Sequence, residues 1–330
     1  MGGDLGSWHA GRPSSVDTYL GLRAAHRATA GWSSHLARTV LSRVPRAVDA
    51  LPRSARTPAD PATAQAVAEL RCDGITMLDP VLSPDEVAAL ADFARRAPGR
   101  LRRTDGSVGR STWHDRPDDA AALMLDGTFS WARPEVQRLM VDDRVLQLVE
   151  TTTGMRPVVH PPQLYWSFPT PVHDGAAPAL ARQLHWDYDG IAGFRLHLYL
   201  TDVDEGTGPM EYAAGTHRPG SLGWHRPSTD QYAPVADGVL RDRRVLTGPA
   251  GTSFLTNPHG LHQATTPTRG ERLFLVLPIQ GGGYGGYYRR VRALPVRDAE
   301  LGRRLADGDP ALRLFEAADP SATAATLVRG

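Results

Sequence analysis

The chain has 330 residues, 41% hydrophobic and 22% charged, enough to bury a full core and typical of an ordinary soluble globular protein. All 37 of its Lys+Arg positions are arginine, so it offers no Walker A lysine, no ATP-pairing kinase lysine and no Schiff-base lysine for pyridoxal phosphate. Cys72 is the single cysteine, which excludes intramolecular disulfides, thiolate zinc sites and iron–sulfur ligation within one chain, and fits a reducing cytoplasm. With 37 basic against 36 acidic residues, no global field draws the chain to nucleic acid or to an anionic membrane. The longest apolar runs, such as Leu273 to Ile279, have strand length, and no signal-peptide-like segment opens the sequence; a soluble cytoplasmic protein is expected.

From Ser14 to Arg56 the texture is helical, with Leu20, Leu22, Leu36, Val40, Leu41 and Val44 set among arginines that read as a solvated face. A Pro/Ala/Thr-rich linker, Thr57 to Thr63, follows. Gly74 to Leu78 reads as a short strand, and Ser83-Pro84-Asp85-Glu86 starts a helix with cap, first-turn proline and capping-box glutamate in place. Val87, Leu90, Ala91 and Ala94 give that helix a buried face, and a second helix is expected from Pro134 to Thr151. Beyond Gly154 the pattern changes to short β-rich runs between turn residues, at Gln163–Phe168, Phe194–Leu200, Gly251–Thr256 and Arg272–Ile279. Helices first and strands afterwards predict an α+β protein whose β part is a sandwich or jelly roll, with N-terminal helices packed against one sheet. Gly281 to Gly286 matches a dinucleotide-binding string, but no helix signal follows, and a flexible turn is the better reading.

Gln183-Leu184-His185-Trp186-Asp187 carries the chemistry. On an extended strand His185 and Asp187 share a face and offer an imidazole nitrogen and a carboxylate oxygen to one ion, while Trp186 points away into the core. A third donor is available in the segment Gly251 to His262, which holds His259 and His262 and is followed by Thr265 and Arg272. Two histidines and one carboxylate on one face of a metal leave three positions open, the arrangement of non-haem Fe(II) oxygenases, and an arginine fork holds the distal carboxylate of a chelating 2-oxo acid. Arg195, His197 and Tyr199 alternate along Phe194–Leu200 and either line a cavity or sit on a wetter face.

With these residues, and with the run Leu200 to Gly220 (LTDVDEGTGPMEYAAGTHRPG), the sequence resembles the phytanoyl-CoA dioxygenase-like branch of the Fe(II)/2-oxoglutarate-dependent oxygenases, over roughly Ala68 to Ile279. The resemblance implies a double-stranded β-helix, a jelly roll, with His185, Asp187 and His262 as the iron ligands and Arg272 as the anchor of 2-oxoglutarate. His259 then falls to the loop, since the ten-residue offset to Arg272 favours His262. Thr265 is a candidate hydroxyl donor to the co-substrate; Tyr165 and Ser167 stand where many members carry a lysine or another polar residue. The implied reaction consumes 2-oxoglutarate and O2, releases succinate and CO2, and hydroxylates an unactivated carbon of a small molecule. Because Asp187 is a carboxylate, no position remains for a halide, and halogenation is not expected. The arginine-only, Ala/Gly/Pro-rich chain suggests a GC-rich bacterial gene and tailoring of a specialised metabolite, as in antibiotic biosynthesis. Three regions are expected: residues 1–60 as an N-terminal helical extension, 61–280 as the jelly-roll domain with flanking helices, and 281–330 as a C-terminal extension. The other readings of the same residues are a cupin-like Zn or Mn hydrolase or isomerase and a non-catalytic jelly-roll binding protein.

Overall fold

The computed structural model describes residues 13–43, 60–169, 184–221, 242–282 and 290–318. The N-terminal helical stretch is two helices, α1 (Pro13–Ala28) and α2 (Trp32–Leu41), separated at Ala30 and Gly31, both at positive φ. The rest of the expected helix, residues 44–56, lies outside the described residues. Helix α3 (Pro61–Cys72) begins inside the expected linker, because Asp60 caps the Thr63 amide and Pro61 sits in the first turn.

Strand β1 (Ile75–Leu78) and helix α4 (Pro84–Arg96) follow as expected. The capping box is complete: the Glu86 amide donates to Ser83 Oγ, and the Ser83 amide donates to the Glu86 carboxylate at 2.8 Å. Three strands that the sequence pattern does not announce come next, β2 (Gly99–Arg103), β3 (Val108–Ser111) and β4 (Ala120–Leu125). After the short α5 (Gly127–Ser130), the single helix expected from Pro134 to Thr151 is divided into α6 (Pro134–Met140) and α7 (Asp143–Thr153). Val141 leaves helical geometry, and the Asp142 carboxylate accepts from the amides of Arg144 and Val145, restarting the helix as its N-cap. The apolar period continues across the break, so periodicity alone does not reveal it.

The remaining strands are β5 (Pro157–Val159), β6 (Gln163–Ser167), β7 (Gly193–Tyr199), β8 (Met210–Ala213), β9 (Arg243–Leu246), β10 (Ser253–Thr256), β11 (His262–Ala264) and β12 (Arg272–Gly281). Then come β13 (Val291–Leu294), α8 (Ala299–Ala306) and β14 (Phe315–Ala317). The large antiparallel sheet runs β1-β10-β7-β12-β6-β4-β2-β3, with β5 also on β12, and a smaller sheet runs β11-β8-β9. Together they form the expected jelly roll. Of the Gly281–Gly286 string, Gly281 ends β12 and residues 283–286 lie outside the described residues.

The period-two alternation of the large sheet separates two cores. Leu196 and Leu198 of β7, Leu255 of β10, and Leu273, Leu275 and Leu277 of β12 face outward, onto Val67 and Leu70 of α3, Leu90 of α4 and Val145 and Val149 of α7. Val291, Leu294, Leu301 and Phe315 from the C-terminal elements join the same cluster. Tyr199, Phe254, Phe274 and Val276 face inward, against Met210 and Tyr212 of the small sheet and Leu246. No helix among the described residues is long and apolar enough to cross a membrane.

Leu275 sits at the centre of the outward face, fully buried between Leu164 of β6 and Leu198 of β7. Leu275→Ala is expected to cost about 2–5 kcal/mol in urea unfolding through lost burial and the cavity left behind. Ser83→Ala, which removes one half of the capping box, is expected to cost only about 1 kcal/mol.

Candidate metal centre

His185 lies beside β11, joined to it by a reciprocal backbone bridge: the His185 amide donates to the His262 carbonyl at 2.9 Å, and the His262 amide returns a bond to the His185 carbonyl at 2.8 Å. The pairing sets the two imidazoles side by side, their ring centroids 4.4 Å apart. Asp187 follows with its amide on the Pro258 carbonyl at 2.8 Å. The carboxylate oxygen Oδ2 of Asp187 lies 3.6 Å from His185 Nε2 and 3.5 Å from His262 Nε2. One donor atom from each of the three residues falls within 4.8 Å of the others, the only such metal-competent grouping among the described residues.

The tautomer of His262 follows from its second nitrogen. Nδ1 is 2.9 Å from the Gly260 carbonyl, which only accepts, so Nδ1–H donates and Nε2 turns a lone pair toward Asp187 and His185. The approach depends on glycine at 260, where a Cβ would lie 2.1 Å from the Tyr212 hydroxyl. That hydroxyl in turn donates to the Asn257 carbonyl and pins the loop preceding the ligand. Burial, and then the neighbouring His185, hold His262 below the usual histidine pKa, in the neutral form that ligates.

Arg195 of β7 points into the barrel and grips the acidic end of the centre. Its Nη1 donates to Asp187 Oδ2 at 2.6 Å, while Nε and Nη2 form a fork on Asp189 at 2.7 and 2.9 Å. Burial alone would raise the Asp187 pKa; Arg195, His185 and His262 outweigh it and hold the carboxyl well below the usual range.

Deeper in the barrel, Arg272 is 1% exposed and spends one Nη2 contact on Ser167 Oγ at 3.2 Å, with its guanidinium 5.1 Å from the centre of the Phe274 ring. Its Nε and Nη1 are buried without a partner. His197 is sandwiched between Phe254 and Phe274, with ring planes 17° and 14° from parallel. Its Nε2 lies 2.9 Å from Thr256 Oγ1, and its Nδ1 is the third buried polar atom left unpaired in this part of the barrel. Either tautomer leaves one donor over: the Thr256 O–H if the ring proton is on Nε2, or the ring's Nδ1–H if Thr256 donates to Nε2. Two guanidinium donors without acceptors and one idle imidazole nitrogen thus lie in this part of the barrel.

A cavity of about 540 Å³ opens over the triad, walled by Tyr165, His197, Met210 and Phe274 inside and by Met124, Leu125, Trp131, Pro161, Pro162 and Ile279 toward its mouth. Of the two readings of the 195/197/199 face, Arg195 and His197 border the cavity, whereas Tyr199 is committed to the Leu246 carbonyl and the Met210 amide. Thr265 does not border it: its hydroxyl donates to the Pro209 carbonyl at 2.9 Å. His259 bonds the Gly190 carbonyl and stacks on Tyr188, away from the triad, and Trp186 is buried with Tyr188, Ala213 and Leu261 as expected. His160, Gln280 and Tyr19 also line the cavity, and no motif in the sequence singles them out. Tyr19 comes from α1, far outside the ligand-bearing strands.

The jelly roll thus brings two histidines and one carboxylate into a metal-competent grouping and keeps, in the same barrel, a buried arginine with two donors left without acceptors. The family model of phytanoyl-CoA dioxygenase (PhyH) matches residues 70–272, and the chain belongs to this family and hence to the iron- and 2-oxoglutarate-dependent enzymes. Among solved structures, the 2-oxoglutarate-dependent epimerase SnoN of nogalamycin biosynthesis is similar at 18% identity and a TM-score of 0.50, covering 67% of this chain and 84% of that one. The carbocyclase SnoK of the same pathway is similar at 20% identity and 0.45, covering 66% and 83%. AviO1 from Streptomyces viridochromogenes Tue57 is similar at 15% and 0.44, covering 67% and 96%. No curated protein matches the sequence.

Arg195 bonds both carboxylates, Asp187 and Asp189. Arg195→Met is therefore expected to lose about 1–3 kcal/mol of stability in metal-free protein, by removing the cation that bridges two partly buried like charges. Saturating Mn(II) or Ni(II) is expected to restore part of that loss, as urea unfolding with and without metal would show.

Proposed function

We propose that His185, Asp187 and His262 hold Fe(II), that Arg272 anchors the distal carboxylate of 2-oxoglutarate, and that the protein hydroxylates or otherwise oxidises an unactivated carbon of a small molecule. The observation that carries this reading is the pairing of a two-histidine, one-carboxylate donor set with a buried guanidinium whose Nε and Nη1 lack acceptors. The donors fit the group: two imidazole nitrogens and one carboxylate oxygen suit a first-row divalent ion with positions left open. The orphaned Arg272 donors match a carboxylate in number and in planar geometry. Bound iron and 2-oxoglutarate supply the oxidising chemistry, in which O2 is consumed, the co-substrate leaves as succinate and CO2, and a C–H bond is oxidised.

The chain's own work is positional. Arg195 keeps the Asp187 carboxylate turned toward the two imidazoles, and the Gly260 carbonyl fixes the His262 ring. We assign the second polar contact to the co-substrate to His197 Nδ1 rather than to Thr265, whose hydroxyl already serves the Pro209 carbonyl. Burial first, then Arg195, His262 and Arg272, drives the His197 pKa well below its usual value, so the ring stays a neutral donor. Met124, Leu125, Trp131 and the prolines around the mouth exclude water and offer an apolar wall, with Gln163, Gln280 and His160 as polar points for orienting a substrate.

A specialised metabolite of bacterial antibiotic biosynthesis fits the arginine-only composition and the metabolic setting named for SnoN. Residues 61–280 form the catalytic unit in this reading, with 1–60 and 281–330 as extensions. The protein acts in the reducing cytoplasm that its lone cysteine suits, on a small-molecule partner and not on nucleic acid or membrane.

Arg272→Leu is expected to weaken 2-oxoglutarate binding by roughly two to four decades, the equivalent of breaking a buried ion pair. His197→Phe, which keeps the aromatic sandwich, is expected to weaken it about tenfold. Arg269, 68% exposed and paired with Asp204 at 2.9 Å, is the control, and Arg269→Leu is expected to bind as the parent does. Anaerobic titration of 2-oxoglutarate into the Fe(II) protein, read at the metal-to-ligand charge-transfer band, separates the three; equal affinities for Arg272→Leu and Arg269→Leu overturn the assignment. In the same protein His262→Ala is expected to abolish iron binding and uncoupled succinate formation, whereas His259→Ala retains iron. The reverse pattern moves the third ligand to His259.

A further inference from the structure

A second cavity, of about 350 Å³, lies between the N-terminal helices and the jelly roll. Its wall brings together Arg38 and His35 of α2, Arg71 at the end of α3, Thr152 near the end of α7, and His217 and Arg218 from the turn after β8. No aspartate or glutamate among the described residues lines it. Its cations form hydrogen bonds to neutral groups: Arg38 to His35 Nδ1 at 3.4 Å, Arg71 to the Thr151 carbonyl at 2.8 Å and Arg218 to the Gly215 carbonyl at 3.3 Å. Asp73, whose charge reaches His217 and Arg218, is itself engaged by Arg244 at 2.7 Å. The Thr152 hydroxyl of the wall is buried and unpaired, while His217 donates its Nε2–H to the Arg71 carbonyl at 3.3 Å, which leaves its buried Nδ1 a lone pair.

Gathering three guanidiniums from three separate elements around one cavity, with no carboxylate on its described wall, makes a locally positive site that favours an anion, although Arg71 and Arg218 also reach solvent. The repulsion is felt within the cluster: burial, and after it the Arg71 charge, lowers the pKa of Arg38. Burial is also the largest influence on His217, which with the Arg218 and Arg38 charges is held down to about 4. We propose that this cavity binds a tetrahedral oxyanion, a phosphate or the phosphate group of a small phosphomonoester. Four oxygens carrying close to two negative charges answer three guanidiniums and a threonine hydroxyl, whereas a planar, singly charged carboxylate leaves most of the positive charge uncompensated. Because Arg38 belongs to the N-terminal helices and Arg71 and Arg218 to the body, the anion joins the two. It also holds the helix pair that presents Tyr19 to the cavity above the triad.

The test is calorimetric titration of inorganic phosphate into the full-length protein at fixed ionic strength. Saturable one-to-one binding is expected. Arg38→Gln and Arg218→Gln are each expected to weaken it about tenfold or more, the worth of one charge-assisted contact. Arg218 is exposed, so its variant reads the site without disturbing the core. Arg96→Gln makes the same change in net charge on α4 and is expected to bind as the parent does, as is His185→Ala, which removes the metal centre as an alternative anion acceptor. Glycerol 3-phosphate competing with phosphate identifies a phosphomonoester ligand, and its failure to compete identifies the free ion. Non-saturable binding, equal binding in Arg218→Gln and Arg96→Gln, loss of binding in His185→Ala, or acetate binding as tightly as phosphate each overturns the proposal.

Discussion

Strands β7 and β12 are buried on both faces, and the alternation of their side chains governs everything built around them. One parity, Leu196 and Leu198 with Leu273, Leu275 and Leu277, is committed to the helices. The other is left for the barrel interior, where Arg195, His197 and Phe274 border the cavity and Arg272, the next position of the same parity on β12, is buried against Ser167 of β6. A slip of one residue in this pairing would bury guanidiniums under α7 and expose leucines to the cavity, so the apolar packing of one face enforces the register of the other. Stability and chemistry are not separately adjustable here.

The metal donors are held differently. His185 and Asp187 lie outside the long strands, and their placement rests on short backbone pairings to His262 and Pro258. What stiffens this local arrangement is a ring of polar contacts: Arg195 on both aspartates, the Gly260 carbonyl on His262, and the Tyr212 hydroxyl on Asn257. These groups fix which atom of each donor faces the centre, a property that a distance between α-carbons does not determine.

Much of this organisation is legible in the order of the amino acids. The grouping of His185 and Asp187 is announced by their spacing and α4 by its complete capping box, because each depends on local rules. Less local features are hidden. In β2 the run Gly-Arg-Leu-Arg-Arg offers one apolar position, and β3 is mostly exposed, so the pattern that marks buried strands is missing although both pair well. The break at Val141 and Asp142 is masked by an apolar period that continues through it. On the 195/197/199 face, alternation says only that the side chains share a side. That Arg195 braces the ligand carboxylate, that His197 has an idle nitrogen and that Tyr199 is consumed by backbone groups all depend on strands distant in sequence. Thr265 illustrates the converse: its hydroxyl is near the right segment, but the Pro209 carbonyl beside β8 supplies it with a nearer acceptor.

The two guanidiniums of the centre, Arg195 and Arg272, have a consequence for the order in which the site fills. Set against Asp187 and Asp189, they make the residues of the empty barrel electrically balanced, and guanidiniums do not lose their protons at any biological pH. A divalent cation entering alone leaves a double positive excess in a low-dielectric interior, and a dicarboxylate entering alone leaves a double negative one. Entering together, they cancel. With the ligands and anchor proposed above, each would therefore be bound more tightly in the presence of the other, by a coupling free energy that runs equally in both directions and needs no movement of the chain.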